Sequence, residues 1–193
     1  MSSQKANKDW LLQLYQTSRT VFRLADIALI IGELDPISLT KKIHYQVEKG
    51  NLGNPRKGLY TKPNFDFAAL ACSLYTPSYL SLEFVLQKEG IIFQYSNTVT
   101  ALSYLSRSVE IVGREIKYRK LKAAILLNST GIISSANGLN IATKERAFLD
   151  LLYLNGDTYF DSLNTINKDI VLELAPIYSS KKLLQNVKKL LGV

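Results

Sequence analysis

One cysteine and one histidine among 193 residues leave little room for chemistry. Cys72 has no second thiol to pair with, and its place in the apolar run AALACSLY makes it a buried small hydrophobe rather than a reactive group. One His and one Cys cannot build a Cys/His zinc site, so no metal is expected. No apolar run approaches the roughly 20 residues of a membrane span. The polar opening MSSQKANKD lacks the apolar core of a secretion signal, and a cytoplasmic protein without a membrane role is expected. Fixed-period repeats and low-complexity tracts are also missing.

The apparent catalytic spacings fail on inspection. Gly53 to Gly58 has the glycine spacing of a phosphate loop, but Leu59-Tyr60 stands where Lys-Ser/Thr is required. Ser38-Leu39-Thr40-Lys41 matches S-x-x-K with nothing else of that signature. Glu145 and Asp150 lie about 140° apart on one helix and do not converge as an acid/base pair. No Ser/His/Asp set uses His44. No catalytic residue, no cofactor and no enzymatic role are expected.

What the chain does have is apolar content of 47%, ample for a core, and a net charge of +8. The charge is uneven: residues 1–63 hold ten cations and five acids, residues 64–193 fourteen and eleven. An N-terminal excess suits a polyanionic partner. The richest stretch runs from Pro36 to Lys62. Asp35 is placed to cap a helix whose first residue is Pro36. Leu39, Ile43 and Val47 recur every four residues and face inward, which turns Ser38, Lys41, Tyr45 and Lys49 outward with Lys42 and His44 on the flanks. Gly50 ends the helix. A tight hairpin follows, with Asn54, Arg56 and Lys57 at its tip and Gly58 in the turn.

Between Asp35 and Lys62 six cations oppose two acids. A helix of this kind can enter the DNA major groove while a basic hairpin reaches neighbouring phosphates. The plainer reading is a solvated amphipathic helix beside an ordinary hairpin. Upstream, residues 8–17 read as a short helix, 20–22 as an extended piece and 23–31 as a second helix. Helix, strand, helix, turn, helix, two-stranded hairpin is the element order of a winged helix-turn-helix, a fold that also serves in protein–protein docking.

Lys62-Pro63-Asn64 marks a boundary. The expected class is therefore α+β: a winged helix-turn-helix over 1–62, then a mixed helix and antiparallel-sheet domain over 63–193. In the second domain, helices are expected over 66–75, 79–89, 168–177 and 180–191, and a helix capped by Thr143 over KERAFLDLLYL. Strands are expected near 98–102, 109–112, 116–121, 123–127 and 131–134. Arg107 to Lys122 forms a second basic segment, six cations against two acids. Its Arg114, Lys117, Arg119, Lys120 and Lys122 read either as a solvated sheet face or as a surface for an acidic partner or for flanking DNA.

Several segments together resemble a known family. Gly58-Leu59-Tyr60, then Pro77-Ser78-Tyr79-Leu80-Ser81-Leu82-Glu83 with Gly90, then Glu145-Arg146-Ala147 with Leu149-Asp150-Leu151, follow the order found in AbiEi antitoxins of bacterial abortive-infection systems. The chain departs from that pattern at Lys144, where many members carry proline. The resemblance implies a winged helix-turn-helix that binds inverted repeats at its own promoter as an autorepressor, as two copies self-associated or side by side on the DNA. It also implies a C-terminal domain that counteracts a nucleotidyltransferase-like toxin, by direct contact or otherwise. Operator contacts would fall on Ser38, Thr40, Lys41, Lys42, Tyr45 and Lys49, with Asn54, Arg56 and Lys57 in the wing. For His44 a phosphate or base contact and a plain surface role both stand. The alternative expectation is a docking module within a toxin complex that never touches DNA.

Overall fold

A computed structural model describes residues 10–192, and they form a mixed α+β structure. The chain divides into two compact units: residues up to Leu74 with Ser135–Leu139, and Tyr75–Ser134 with the residues from Asn140 onward.

The first unit begins with α1, described over residues 10–16; its expected start at Lys8 lies outside the described residues. Then come β1 (Val21–Arg23), α2 (Leu24–Ile31), α3 (Pro36–Glu48), β2 (Gly53–Arg56), β3 (Leu59–Thr61) and α4 (Phe67–Leu74). The strands form an antiparallel sheet in the order β1-β3-β2. Local chemistry sets the boundaries. The Asp26 carboxylate accepts the Arg23 N–H at 2.8 Å and opens α2. The Asp35 carboxylate accepts from Ile37 N and Ser38 N at 3.2 and 3.0 Å and opens α3 behind Pro36. Gly50, at φ +74°, turns the chain out of α3. Trp10, Leu14, Phe22, Ile27, Leu39, Ile43 and Leu52 make the core. Each contributes about 1.5–3 kcal/mol by burial, enough to hold three short helices that would be marginal alone.

Lys62 is structural. Its ammonium donates to the carbonyls of Tyr15 and Thr17 at 3.2 and 2.8 Å, closing the last turn of α1, and burial lowers its pKa. The division between units falls after Leu74 rather than at Lys62, for a reason that hydrogen bonds make plain. Thr20 Oγ1 accepts from Asp66 N at 3.0 Å, and the Arg23 guanidinium donates to Ser73 O at 2.8 Å, tying α4 and its approach to β1. Asn137 donates to the Asp66 carboxylate at 3.5 Å within the same unit.

The second unit contains β4 (Ser78–Leu80), α5 (Glu83–Lys88), β5 (Val99–Ser103), β6 (Arg107–Ile111), β7 (Arg114–Lys120), α6 (Ala123–Leu126), β8 (Ile132–Ser134), β9 (Asn140–Ala142), α7 (Lys144–Asn155) and α8 (Lys168–Leu174). A 3-10 turn, Ala175–Tyr178, and α9 (Lys181–Leu191) complete it. Six strands form one sheet, β6-β7-β5-β4-β9-β8. The expected antiparallel sheet is corrected to a mixed one: β5 runs parallel to β7 and β4 parallel to β9. β7, not β6, lies beside β5, and because β7 returns from β6 through a tight hairpin, with Val112 and Gly113 at positive φ, it runs in the direction of β5. The hairpin puts β6 at the sheet edge and leaves β7 to pair with β5.

Two further expectations change. Residues 79–89 are not one helix: Tyr79 and Leu80 belong to β4, Leu82 sits at φ +61°, and α5 starts only at Glu83. Residues 123–127 are not a strand: the ladder ends where Leu121 N donates to Ser103 O at 2.9 Å, and Ala123–Leu126 coils into α6. Strand β9 has no counterpart in the sequence reading.

At the centre lies α7, buried on all sides and capped by Thr143 Oγ1. Arg146 and Asp150, both 0% exposed, meet there. Arg146 donates from Nε to Asp150 Oδ1 at 3.4 Å, from Nη1 to Thr130 O at 2.9 Å, and from Nη2 to Ile125 O and Tyr79 Oη at 2.8 and 3.1 Å. The Tyr178, Ser81 and Tyr79 hydroxyls donate to the carboxylate at 2.6, 2.7 and 3.1 Å. Burial pushes the Asp150 carboxyl up, and Arg146 with the three hydroxyls pulls against it. Burial first, then the neighbouring carboxylate, pushes the Tyr79 and Tyr178 phenols up. Glu145 and Asp150 do not form an acid/base pair: Glu145 accepts Asn167 N at 3.3 Å, away from this cluster.

Candidate nucleic-acid interface

The outward face of α3 is rolled relative to the sequence reading. Gln46 is buried at 5%, where Asn51 Nδ2 donates to its side-chain oxygen at 2.7 Å, while Val47 is only half-buried. The inward stripe is thus Leu39, Ile43 and Gln46, a rotation of roughly 30° from Leu39, Ile43 and Val47. The exposed ridge opposite is Ile37, Lys41, His44, Tyr45 and Glu48, with Lys49 behind Tyr45.

The roll divides the expected contact residues. Ser38 moves to a half-buried flank that it shares with Lys42, and Glu33 occupies both. Its carboxylate accepts Ser38 Oγ at 3.0 Å and Lys42 Nζ at 2.5 Å, and it also accepts Asp35 N at 3.2 Å. Lys42 foremost, then the Asp35 N–H and the Ser38 hydroxyl, lower the Glu33 carboxyl to about 2. These two side chains hold the α2–α3 turn. Thr40 is exposed, with its hydroxyl donating back to Pro36 O at 2.7 Å.

Lys41 remains on the ridge, exposed, with no hydrogen bond or ion pair among the described residues. Tyr45 is 50% exposed, and the Lys49 ammonium lies 5.4 Å from its ring centroid, a cation–π contact that steadies both. His44 Nε2 lies 3.7 Å from Glu48 Oε1, an ion pair when the imidazole is protonated. Glu48 is the one acid on the ridge, and it sits at the helix end away from the Asp35 cap.

In the hairpin, Asn54 serves the turn itself: its amide donates to Arg56 O at 3.0 Å and Leu59 O at 2.8 Å. Arg56 and Lys57 are exposed. With Arg23, Leu24 and Ser73 they line a concavity of about 360 Å³ beside the start of α2. Three cations around one hollow, next to a helix N-terminus, make a surface that attracts phosphate.

The second basic segment is not one patch. Alternation along β7 puts Glu115, Lys117 and Arg119 on one face, and Glu110 stands directly opposite Glu115 in register. Lys117 and Arg119 share a hollow of about 380 Å³ with Glu83 and Glu115, a mixed-charge lining. Arg119 Nη1 donates to Asn155 Oδ1 at 2.7 Å. Arg114 is at the hairpin end of β7, Lys120 at its far end and Lys122 at the cap of α6.

Two features escaped the sequence reading. Lys181, Lys182, Lys188 and Lys189 fall on one outward arc of α9, opposite Leu183, Val187 and Leu191, with no acid in that helix. The strong apolar periodicity of KKLLQNVKKLL was the available signal. Leu29, Leu34 and Ile37 are large apolar residues left in solvent around the α2–α3 turn. Among the described residues no cluster of three or more His, Cys, Asp or Glu could hold a metal, and no helix is long and apolar enough to cross a membrane. No protein-family model matches the chain, and no curated protein matches it.

Proposed function

We propose that the first unit is a winged helix-turn-helix that binds promoter DNA, and that the chain is the autorepressing antitoxin of a bacterial toxin–antitoxin pair working in the cytoplasm. The observation that carries the DNA half is a single one. α3 exposes Lys41, Tyr45 and Lys49 in the same unit as a basic two-stranded hairpin, with the element order α1-β1-α2-α3-β2-β3 and sheet order β1-β3-β2. In this reading α3 enters the major groove, Lys41 and Tyr45 approach base edges and phosphate oxygens, and Arg56, Lys57 and Arg23 neutralise backbone phosphates beside it. Inverted repeats take two copies of the chain. The antitoxic half rests on the AbiEi-like segments of the sequence, and the second unit is where a nucleotidyltransferase-like toxin is counteracted. Of its surfaces, the α9 lysine arc is the most uniformly charged element, suited to an acidic partner.

The test is a gel-shift titration of the full chain on the duplex upstream of its own coding sequence, repeated across salt concentrations. Lys41→Ala with Arg56→Ala weakens binding and flattens the plot of log affinity against log salt, by about 0.9 for each phosphate that is no longer neutralised. Unchanged affinity and slope sink the assignment. No shift on that duplex, together with co-purification of the neighbouring gene product, favours the docking module instead.

A further inference from the structure

The start of α3 and the turn before it expose apolar side chains where water contact alone gives them no role. Leu34 is 94% exposed and Ile37 67%. Leu34 stands immediately before the Asp35 cap, a position from which an apolar side chain commonly folds onto the fourth residue of the helix. That fourth residue, Leu39, is buried in the core while Leu34 stays in solvent, so no such staple forms. Ile37 is the second residue of α3 and lies about 40° from Lys41 and about 80° from Tyr45 around the helix. It is therefore the N-terminal end of the outward ridge.

In a recognition helix the N-terminal residues reach base edges. Among the major-groove groups that distinguish the bases, the hydrogen-bond donors and acceptors are polar, and the C5 methyl of thymine is the one that offers an apolar surface to pack on. An isoleucine offers nothing to the donors and acceptors and an apolar surface to the methyl. We propose that Ile37 reads thymine methyl groups, so that the operator half-site carries thymine where the start of α3 enters the groove. The inference rests on the operator-binding reading and adds sequence preference to it. Lys41, Tyr45 and Lys49 give attraction and register, and Ile37 gives base choice.

The experiment compares two duplexes of one sequence, the region upstream of the coding sequence amplified with dTTP or with dUTP. Uracil pairs as thymine does and lacks only the methyl. The full chain binds the thymine duplex about fourfold more tightly for each methyl it covers. Ile37→Ala loses that preference and keeps the salt dependence, with an unchanged melting temperature because the side chain is exposed. Equal affinity of the unaltered chain for both duplexes overturns the inference and leaves operator binding intact. No shift on either duplex overturns operator binding and the inference with it. A dimer that becomes monomeric in Ile37→Ala, with the thymine preference kept, assigns the patch to contact between copies and likewise overturns the inference.

Discussion

α3 and α7 are almost equal in length, thirteen and twelve residues, and each opens on a side-chain cap. They use charge in opposite ways. α7 buries Glu145, Arg146 and Asp150 and gives each a hydrogen-bond partner. α3 keeps Lys41 in water with no partner among the described residues. Burying an ion costs several kcal/mol unless partners offset the cost, so matched buried charge belongs to the architecture of the unit. Charge held in solvent contributes little to folding and stays available to another molecule. Residue type alone does not separate these roles, since both helices read as amphipathic with charged residues at regular intervals.

The contrast between the two helices is tested most severely at Arg146. Arg146→Ala leaves the Asp150 carboxylate buried without its cation, and stability falls by about 3–5 kcal/mol. A urea titration reads this, and a fall under about 1 kcal/mol would mean that α7 does not depend on its charges. Next in size are the caps. Asp35→Ala and Thr143→Ala each lower stability by about 1 kcal/mol, measured the same way, because each frees the first backbone N–H groups of its helix. A much larger effect of Asp35→Ala would show that α3 is held by its cap rather than by Leu39 and Ile43.

The Glu33 carboxylate sharpens the contrast within the first unit. Its folded pKa of about 2 lies below the usual 4.5, so its stabilising effect is complete above pH 4.5 and declines as pH falls toward 2. Hydrogen exchange at the Asp35 amide, which donates to Glu33, should therefore accelerate between pH 4.5 and 2, beyond the intrinsic change, and Glu33→Gln should flatten that dependence. The smallest effect belongs to Lys41→Ala, which changes stability by less than about 0.5 kcal/mol while, on the proposed reading, weakening DNA binding. A large fall in stability would move Lys41 to the structural class represented by Arg146.

The order of elements in the first unit was legible because turn chemistry declares itself: Asp35-Pro36, Gly50 and Lys57-Gly58 mark boundaries without help from the rest of the chain. The roll of α3 was not legible. Gln46 is polar and reads as outward, and its burial depends on Asn51, placed by the turn after Gly50. Nor could hydropathy show that Glu33 engages Ser38 and Lys42, since that contact spans the α2–α3 turn. In the second unit, the apolar run Ala123-Ala124-Ile125-Leu126-Leu127 suits a strand or a helix equally, and termination of the β7 ladder decides it. Tyr79 and Leu80 look helical beside the following periodicity, yet β5 and β9 claim them from either side. Short central strands are specified by neighbours distant in sequence, so a local reading misses them.

Ser135–Leu139, a turn closed by hydrogen bonds from Ser135 N to Leu139 O and Gly138 N to Ser135 O, limits how this gene can be dissected. A stop codon after Leu74 yields a polypeptide that lacks five residues of its own unit and leaves Asp66 without Asn137. Expressing the two halves as separate genes therefore removes a piece from one of them wherever a single cut is made before residue 135. Binding studies are best run on intact protein carrying point substitutions.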